Sequence, residues 1–205
     1  MSNLVITIGR QYGSGGAEIG KRLAQELGIK FYDKELINLA AKESGFSEQI
    51  LKDYDERPTN SFLYSLSLGS YSYDSAAYGN INVPITDKVF MAQAQIIRDL
   101  AAKEPCVIIG RCAESVLKNH DALLSVFIHS DIDRRIERIC EKKNVTRDKA
   151  SDMIKKIDKK RASYHNYFSD GRWGEAAEYD ICLDSKMGIE NDVKIIKYCA
   201  ENKLF

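Results

Sequence analysis

Neither sign of charge is in excess in this sequence of 205 residues: Lys plus Arg and Asp plus Glu each number 30, for a formal net charge of +0 at pH 7. A protein that grips nucleic acid through its phosphates needs a basic surplus, so general nucleic-acid binding is not expected, although a local basic site stays open. No apolar run approaches the roughly 18 residues of a membrane span, and no charged segment followed by a long apolar one opens the chain. The expectation is a cytosolic protein without membrane contact. The five cysteines (Cys106, Cys112, Cys140, Cys182, Cys199) are odd in number and never spaced C-x-x-C. Disulfides and structural zinc are therefore not expected, and no metal-ligating set is read. No internal repeat is visible. The length suits one α/β domain and is short for two.

What is present is densest in Leu4 to Leu27, LVITIGRQYGSGGAEIGKRLAQEL. Leu4, Val5, Ile6 and Ile8 read as a buried strand. Gly9, Gly13, Gly15 and Gly16 read as a turn, and Ile19, Leu23 and Leu27 mark one face of a helix. Strand, glycine loop and helix N-terminus in that order make an anion cradle, because backbone N–H groups and the helix dipole converge there. A standard phosphate loop continues into Lys and then Ser or Thr. With Gly13-Ser14-Gly15 as the tip, those positions hold Gly16 and Ala17. A literal G-x4-G-K at Gly15 to Lys21 fails, because Ile19 within it belongs to the helix's apolar face.

Ile29 to Tyr32 reads as a second strand. Asp33 follows it as a helix N-cap, as a ligand contact on the rim where open α/β sheets bind, or as both. Ser47 to Tyr54 is expected to be helical. Residues 55–83, with Tyr64, Tyr71, Tyr73 and Tyr78, break the pattern and read as either a flap over a base or sugar or a disordered stretch. A long helix is expected from Pro84 to about Lys103, and strands at Cys106 to Ile109, Leu123 to His129 and Tyr179 to Leu183. Arg111, directly after Gly110, lies on the same rim as the glycine loop. Arg134, Arg135 and Arg138 either form a solvated helix face or reach a polyphosphate. A charged helix pair or hairpin is expected from Asn144 to about Tyr167, carrying Lys155, Lys156, Lys159, Lys160 and Arg161, the most basic stretch of a neutral chain. Five buried strands alternating with helices predict an α/β fold with a parallel sheet and helices on both faces.

The ITIG-x-x-x-GSGG opening, FYDKELI, VIIGRCAE, DIDRRIER, DKKRASYHNYF and YDICLDS together resemble the cytidylate kinase-like group of P-loop nucleoside monophosphate kinases. The resemblance spans nearly the whole chain in motif order. It implies a P-loop NTPase-type five-stranded parallel sheet with a nucleoside monophosphate (NMP)-binding insert and an arginine-rich lid. The corresponding extents are a core of 1–54, 84–143 and 176–205, an insert of about 55–83 and a lid of about 144–175. The implied reaction moves the γ-phosphoryl group of ATP, with Mg²⁺, onto a nucleoside monophosphate such as CMP or dCMP. Gly13, Ser14, Gly15 and Gly16 match the phosphate loop, and Asp33 and Arg111 match acceptor contacts. Cys112 stands where bacterial cytidylate kinases carry the aspartate of Gly-Arg-Asp. Arg134, Arg135 and Arg138 resemble lid-approach arginines, and Asp158 and Arg161 the lid's acidic and basic residues. With lysine and hydroxyl missing from the loop, Arg10 and Arg161 are the side chains expected to stand in. The alternatives are a nucleotide-binding module that has lost catalysis, and a domain that binds only a monophosphate or another anion.

Overall fold

The computed structural model describes residues 3–33 and 83–203, together with Ser47, Gln49 and Glu56. The helices expected after Asp33 and over Ser47 to Tyr54 lie outside the described residues, apart from Ser47 and Gln49. So does the Tyr- and Ser-rich stretch, apart from Glu56 and Val83. The described chain runs β1 (Val5–Arg10), α1 (Gly16–Leu27), β2 (Lys30–Tyr32), α2 (Ile85–Lys103), β3 (Cys106–Ile109), α3 (Ala113–Val116), β4 (Leu123–His129), α4 (Ile132–Lys143), α5 (Arg147–Phe168), β5 (Ile181–Asp184) and α6 (Ile189–Glu201).

The five strands form one sheet in the order β2-β3-β1-β4-β5, every neighbouring pair parallel. Both faces are covered, which is why these strands read as continuous apolar runs and do not alternate with polar residues. Ile6, Ile8, Val107, Ile109 and Leu124 point to α1 and α6, where Ile19, Leu23, Val193 and Ile196 meet them. Val5, Cys106 and Ile108 point the other way, to Val89, Ile96 and Ile97 of α2 and to Ala113 and Leu117. Gly28 ends α1 in the left-handed conformation at φ 67°, as a C-terminal glycine does. Asp131 caps α4 by accepting from the Arg134 N–H at 3.0 Å.

Two expectations change. The basic segment is one helix of 22 residues, α5, whose start is set by Thr146 accepting from the Lys149 N–H. The turn lies earlier, where Asn144 adopts φ 52° and closes α4, so α4 and α5 form the helix pair, with Ile136, Ile139, Ala150 and Ile154 between them. Tyr179 precedes β5 and does not belong to it; its ring packs against Phe127 at 5.0 Å between centroids.

Leu23 is fully buried under the sheet. Leu23→Ala should lower the unfolding free energy by about 2–5 kcal/mol, read as a shift of the urea midpoint with unchanged slope.

Candidate functional site

In the order β2-β3-β1-β4-β5 the chain leaves β1 toward β2 and leaves β3 in the opposite direction, toward β4. The crevice at such a reversal is where open parallel sheets bind ligands. Here it lies beyond the carboxyl ends of β1 and β3, and a pocket occupies it. Its floor is Gly9 and Arg10 on one side and Gly110, Arg111 and Cys112 on the other. Arg161, Tyr164 and His165 of α5 cover it, with Glu56, Glu114, Trp173 and Tyr179 around them.

The loop from Gln11 to Gly15 is braced from within and behind. Ser14 is fully buried, and its hydroxyl donates to the Gln11 carbonyl at 2.9 Å. The Ser130 N–H donates to Gln11 Oε1 at 3.1 Å, and Arg138 Nη1 donates to the Gly13 carbonyl at 2.8 Å. Gly13 and Gly15 have φ of 83° and 89°, which a side chain would strain. Beyond them α1 begins; the Glu18 and Ile19 N–H groups donate to the Gly15 carbonyl at 2.9 and 3.0 Å, while those of Gly16 and Ala17 lie before the first helical acceptor. The cradle is thus present and fits phosphate oxygens at its backbone.

Gly16 leaves no room for a side chain. A Cβ at this position would stand 2.7 Å from Arg10 Cβ and 3.3 Å from Ile128 Cβ. Arg10 fills the space that a side chain at Gly16 would need. From there Arg10 Nη1 donates to Glu56 Oε1 at 3.1 Å. Arg161 Nε lies 3.5 Å from Glu56 Oε2, an ion pair outside hydrogen-bonding alignment, while Arg161 Nη1 donates to the Arg10 carbonyl at 3.1 Å. Burial would raise the Glu56 carboxyl, but the guanidiniums of Arg10, Arg161 and Arg111 outweigh it and hold it at about 2. Burial and the like charge of Arg10 press Arg161 down to about 10, which leaves it charged at neutral pH. Arg111 is buried; its Nη1 donates to the Ile109 carbonyl at 3.0 Å and lies 3.5 Å from Asp33 Oδ1.

The backbone is strained where these groups meet. Three residues here that are not glycine, Glu56, Arg111 and Cys112, have φ of 50°, 57° and 53°. Left-handed backbone at such residues costs on the order of 1–3 kcal/mol each and persists where the surroundings over-determine it. Here the strain turns Arg111 back under β3. Burial pushes the Cys112 thiol well above its usual range.

α5 presents Asp158, Arg161 and His165 at steps of three and four along the face that meets the rim. Asp158 accepts from the Tyr12 N–H at 2.7 Å and pairs with Arg135. Arg135 also donates to the Tyr12 carbonyl at 3.3 Å. Arg161 lies over the Tyr12 ring, 5.8 Å from its centroid. His165 Nε2 is 2.9 Å from Glu114 Oε1, and its Nδ1 faces Ser169 Oγ at 3.0 Å.

The structure therefore gathers Arg10, Arg111 and Arg161 in one pocket, with Asp33 beside Arg111, and puts Asp158, Arg135 and Arg138 at the back of the loop. Arg134 is exposed and pairs with Asp131. Lys155, Lys156, Lys159 and Lys160 are exposed on α5. The sequence reading did not single out Glu56, Glu114, His165 or Tyr179. Glu114 and His165 lie inside the quoted stretches VIIGRCAE and DKKRASYHNYF, but nothing in their local spacing marks them. Glu56 opens a stretch whose composition points to a loop.

The sheet, the glycine loop and the helix arrangement define a P-loop kinase fold. Within that class, the family model described as the cytidylate kinase-like family matches residues 5–187; the chain belongs to this family. Among solved structures, an uncharacterized protein from Eubacterium ventriosum is 28% identical, with 97% of this chain and 99% of that chain covered and a TM-score of 0.73. Shikimate kinase from Bacteroides thetaiotaomicron is 15% identical, with 97% and 98% covered and a TM-score of 0.55. A gluconokinase from Sinorhizobium meliloti is 15% identical, with 97% and 92% covered and a TM-score of 0.53. These last two share the fold. No curated protein matches the chain. Among the described residues, no helix is long and apolar enough to cross a membrane.

Because the Glu56 carboxyl falls from 4.5 to about 2 in the folded protein, its ion pairs stabilise the fold fully above its unfolded pKa. That stability, on the order of 3 kcal/mol, fades as the pH drops through the folded value. Urea unfolding should show Glu56→Gln less stable than the parent at pH 7, with the gap clearly smaller at pH 3. A gap independent of pH would remove Glu56 from the charged cluster.

Proposed function

We propose that this chain is an ATP-dependent phosphotransferase acting on a nucleoside monophosphate, with CMP or dCMP the first acceptors to test and Mg²⁺ required. The observation that carries this reading is the convergence of Arg10, Arg111 and Arg161 on one buried anion, the Glu56 carboxylate, beside the helix cradle. Three guanidiniums around a carboxylate make a pocket that a phosphoryl group also fits. In the proposed extents, residues 1–54, 84–143 and 176–205 form the core, about 55–83 the NMP-binding insert and about 144–175 the lid.

The roles follow from the contacts. The backbone of Gly13, Ser14, Gly15 and Gly16 would hold the nucleotide's phosphates. Ser14 serves through its main chain, since its hydroxyl is committed to Gln11. Arg138, with Arg135 and Asp158, keeps that loop in shape. Arg134, exposed at the start of α4, would meet the nucleotide from outside. Asp33 and Arg111 would orient the acceptor. Phosphoryl transfer is mostly positioning and neutralisation of charge spread over the moving group's oxygens. Arg10 from β1 and Arg161 from α5 supply that charge from opposite sides. At Ala17 the loop offers Mg²⁺ no side-chain ligand, so the metal would arrive on the phosphates of ATP, where it neutralises charge.

A coupled ADP-release assay with Mg²⁺-ATP tests this against CMP, dCMP, UMP and AMP, with shikimate and gluconate as hydroxyl acceptors. Turnover with a monophosphate is expected, falling by at least a hundredfold in Arg161→Ala and in Arg10→Ala. The alternative, a nucleotide-binding module without catalysis, is favoured by Gly16 and Ala17. Nucleotide binding without ADP release for any acceptor would establish it.

A second test separates the loop from its substitute. If Arg10 does the work of the absent lysine, Gly16→Lys should not raise activity. It should instead lower the melting temperature by several degrees, because its Cβ meets Arg10 Cβ at 2.7 Å.

A further inference from the structure

The anion among Arg10, Arg111 and Arg161 is the protein's own. Among the described residues, Glu56 is the one carboxylate in ion-pair contact with Arg10 and with Arg161, and it stands between them. Its Oε1 accepts from Arg10 Nη1 at 3.1 Å, and its Oε2 lies 3.5 Å from Arg161 Nε. The side chains of Arg10, Arg161 and Glu56 are only 11%, 14% and 14% exposed. The carboxylate is pressed against the turn after β3, where a Cβ added at Gly110 would lie 2.9 Å from Oε1. With Glu56 in place, the room left in the pocket is about 20 Å³, enough for roughly one water molecule. A phosphoryl group does not fit beside the carboxylate; it fits only in its stead.

Carboxylate and phosphoryl oxygens offer a guanidinium the same partners, so the two compete for one set of arginines. They differ in charge: a carboxylate carries one negative charge, a phosphate monoester close to two at neutral pH. They also differ in attachment. A tethered group meets its site at an effective concentration that reaches the millimolar range for short tethers. A free ligand's apparent affinity then falls with the fraction of time that the site stands empty. Acid does not empty it near neutrality, because the three guanidiniums hold the Glu56 carboxyl at about 2. The backbone of Glu56 is left-handed at φ 50°, a conformation that persists only while its surroundings hold it.

Resting on the reading of the arginine cluster as the place of the transferring phosphoryl group, we propose that Glu56 is an autoinhibitory occupant of that place. Its carboxylate stands in for the phosphoryl group in the resting protein, keeps the three arginines gathered, and is displaced when a doubly charged phosphoryl group enters. A tethered monoanion thereby sets a charge threshold. A singly charged ligand gains too little from the arginines to dislodge it, whereas a doubly charged one gains more than the carboxylate gives up.

Equilibrium calorimetry on the full chain at neutral pH, with sulfate and perchlorate as probes, tests this without requiring turnover. Both anions are tetrahedral and similar in size, but sulfate carries two charges and perchlorate one. The parent should bind sulfate at least tenfold more tightly than perchlorate. Glu56→Gln should tighten sulfate at least tenfold, the factor expected if the carboxylate leaves the parent's site open no more than about a tenth of the time. In Glu56→Gln/Arg161→Ala that gain should shrink below threefold, which puts it at the arginines and not at the glycine cradle. A measurement on the parent alone covers a variant that fails to fold. At about pH 4, midway between the two states, the Glu56 carboxyl should be ionised without sulfate. Its 13C resonance should report protonation once sulfate has moved it into water, toward its ordinary 4.5. Sulfate affinity that Glu56→Gln leaves unchanged or weakens would overturn the inference, as would sulfate bound by neither protein. A gain that survives loss of Arg161, no preference over perchlorate, or a carboxyl still ionised under saturating sulfate would overturn it too. ADP release by the parent would in those cases leave the phosphotransferase reading standing. The expected gain without ADP release for any acceptor would support the occupant and refute catalysis.

Discussion

Three guanidiniums cannot share a closed pocket without an anion, and the described structure is organised around that requirement. Arg10 ends β1, Arg111 follows β3 and Arg161 comes from α5, so like charge accumulates where the sheet reverses direction. Glu56 supplies the anion, and its contacts with Arg10 and Arg161 tie α5 to the end of β1. Breaking a buried ion pair by removing one partner is costly, because the other charge stays buried without compensation. The cluster therefore constrains any ligand that enters. A neutral compound cannot replace Glu56 without leaving the arginines unpaired, whereas a phosphorylated one can. In the proposed reading, selection for an anion follows from the burial of the arginines before any particular contact is considered.

The glycine loop and the arginines belong to one solution. In a standard loop the lysine is carried on the helix, and its charge is available whatever the rest of the protein does. Here Gly16 is packed against Arg10, and in the proposed reading the positive charge comes from the strand that precedes the loop. Arg10 in turn accepts a hydrogen bond at its carbonyl from Arg161. Asp158, one turn earlier on α5, holds the Tyr12 amide and Arg135. The charge at the loop mouth is thus delivered together with the docking of α5.

Much of this was legible in the sequence because the fold is written in local patterns. All five strands, with α1 and α2, follow from apolar runs and periodicity, and the parallel sheet follows from the alternation of strands with helices. Gly13 to Gly16, Arg10, Arg111 and Arg161 could be named because glycine density, strand tips and a basic stretch are local signals. The misreadings have physical causes. The dense charge of α5 looked like two short segments, but Asn144 had already made the turn upstream. Tyr179 looked like strand because it adjoins Ile181 to Leu183, yet its ring is taken up by Gly9 and Phe127. Glu56, Glu114 and His165 were not singled out because their significance is entirely non-local. Glu56 meets partners 46 and 105 residues away in sequence, and no window of spacing contains them.

The same non-locality bears on how the proposed chemistry would exclude water. An arginine at the strand end and another on α5 neutralise a transferring phosphoryl group only when both are in place. In that state α5 covers the pocket and leaves room for about one water molecule. A loop lysine would let ATP meet its full charge complement in an open site, where hydrolysis competes with transfer. Dividing the charge between β1 and α5 makes neutralisation and exclusion of water one event. In the proposed reading, that coupling is a physical reason for the charge to come from these two elements.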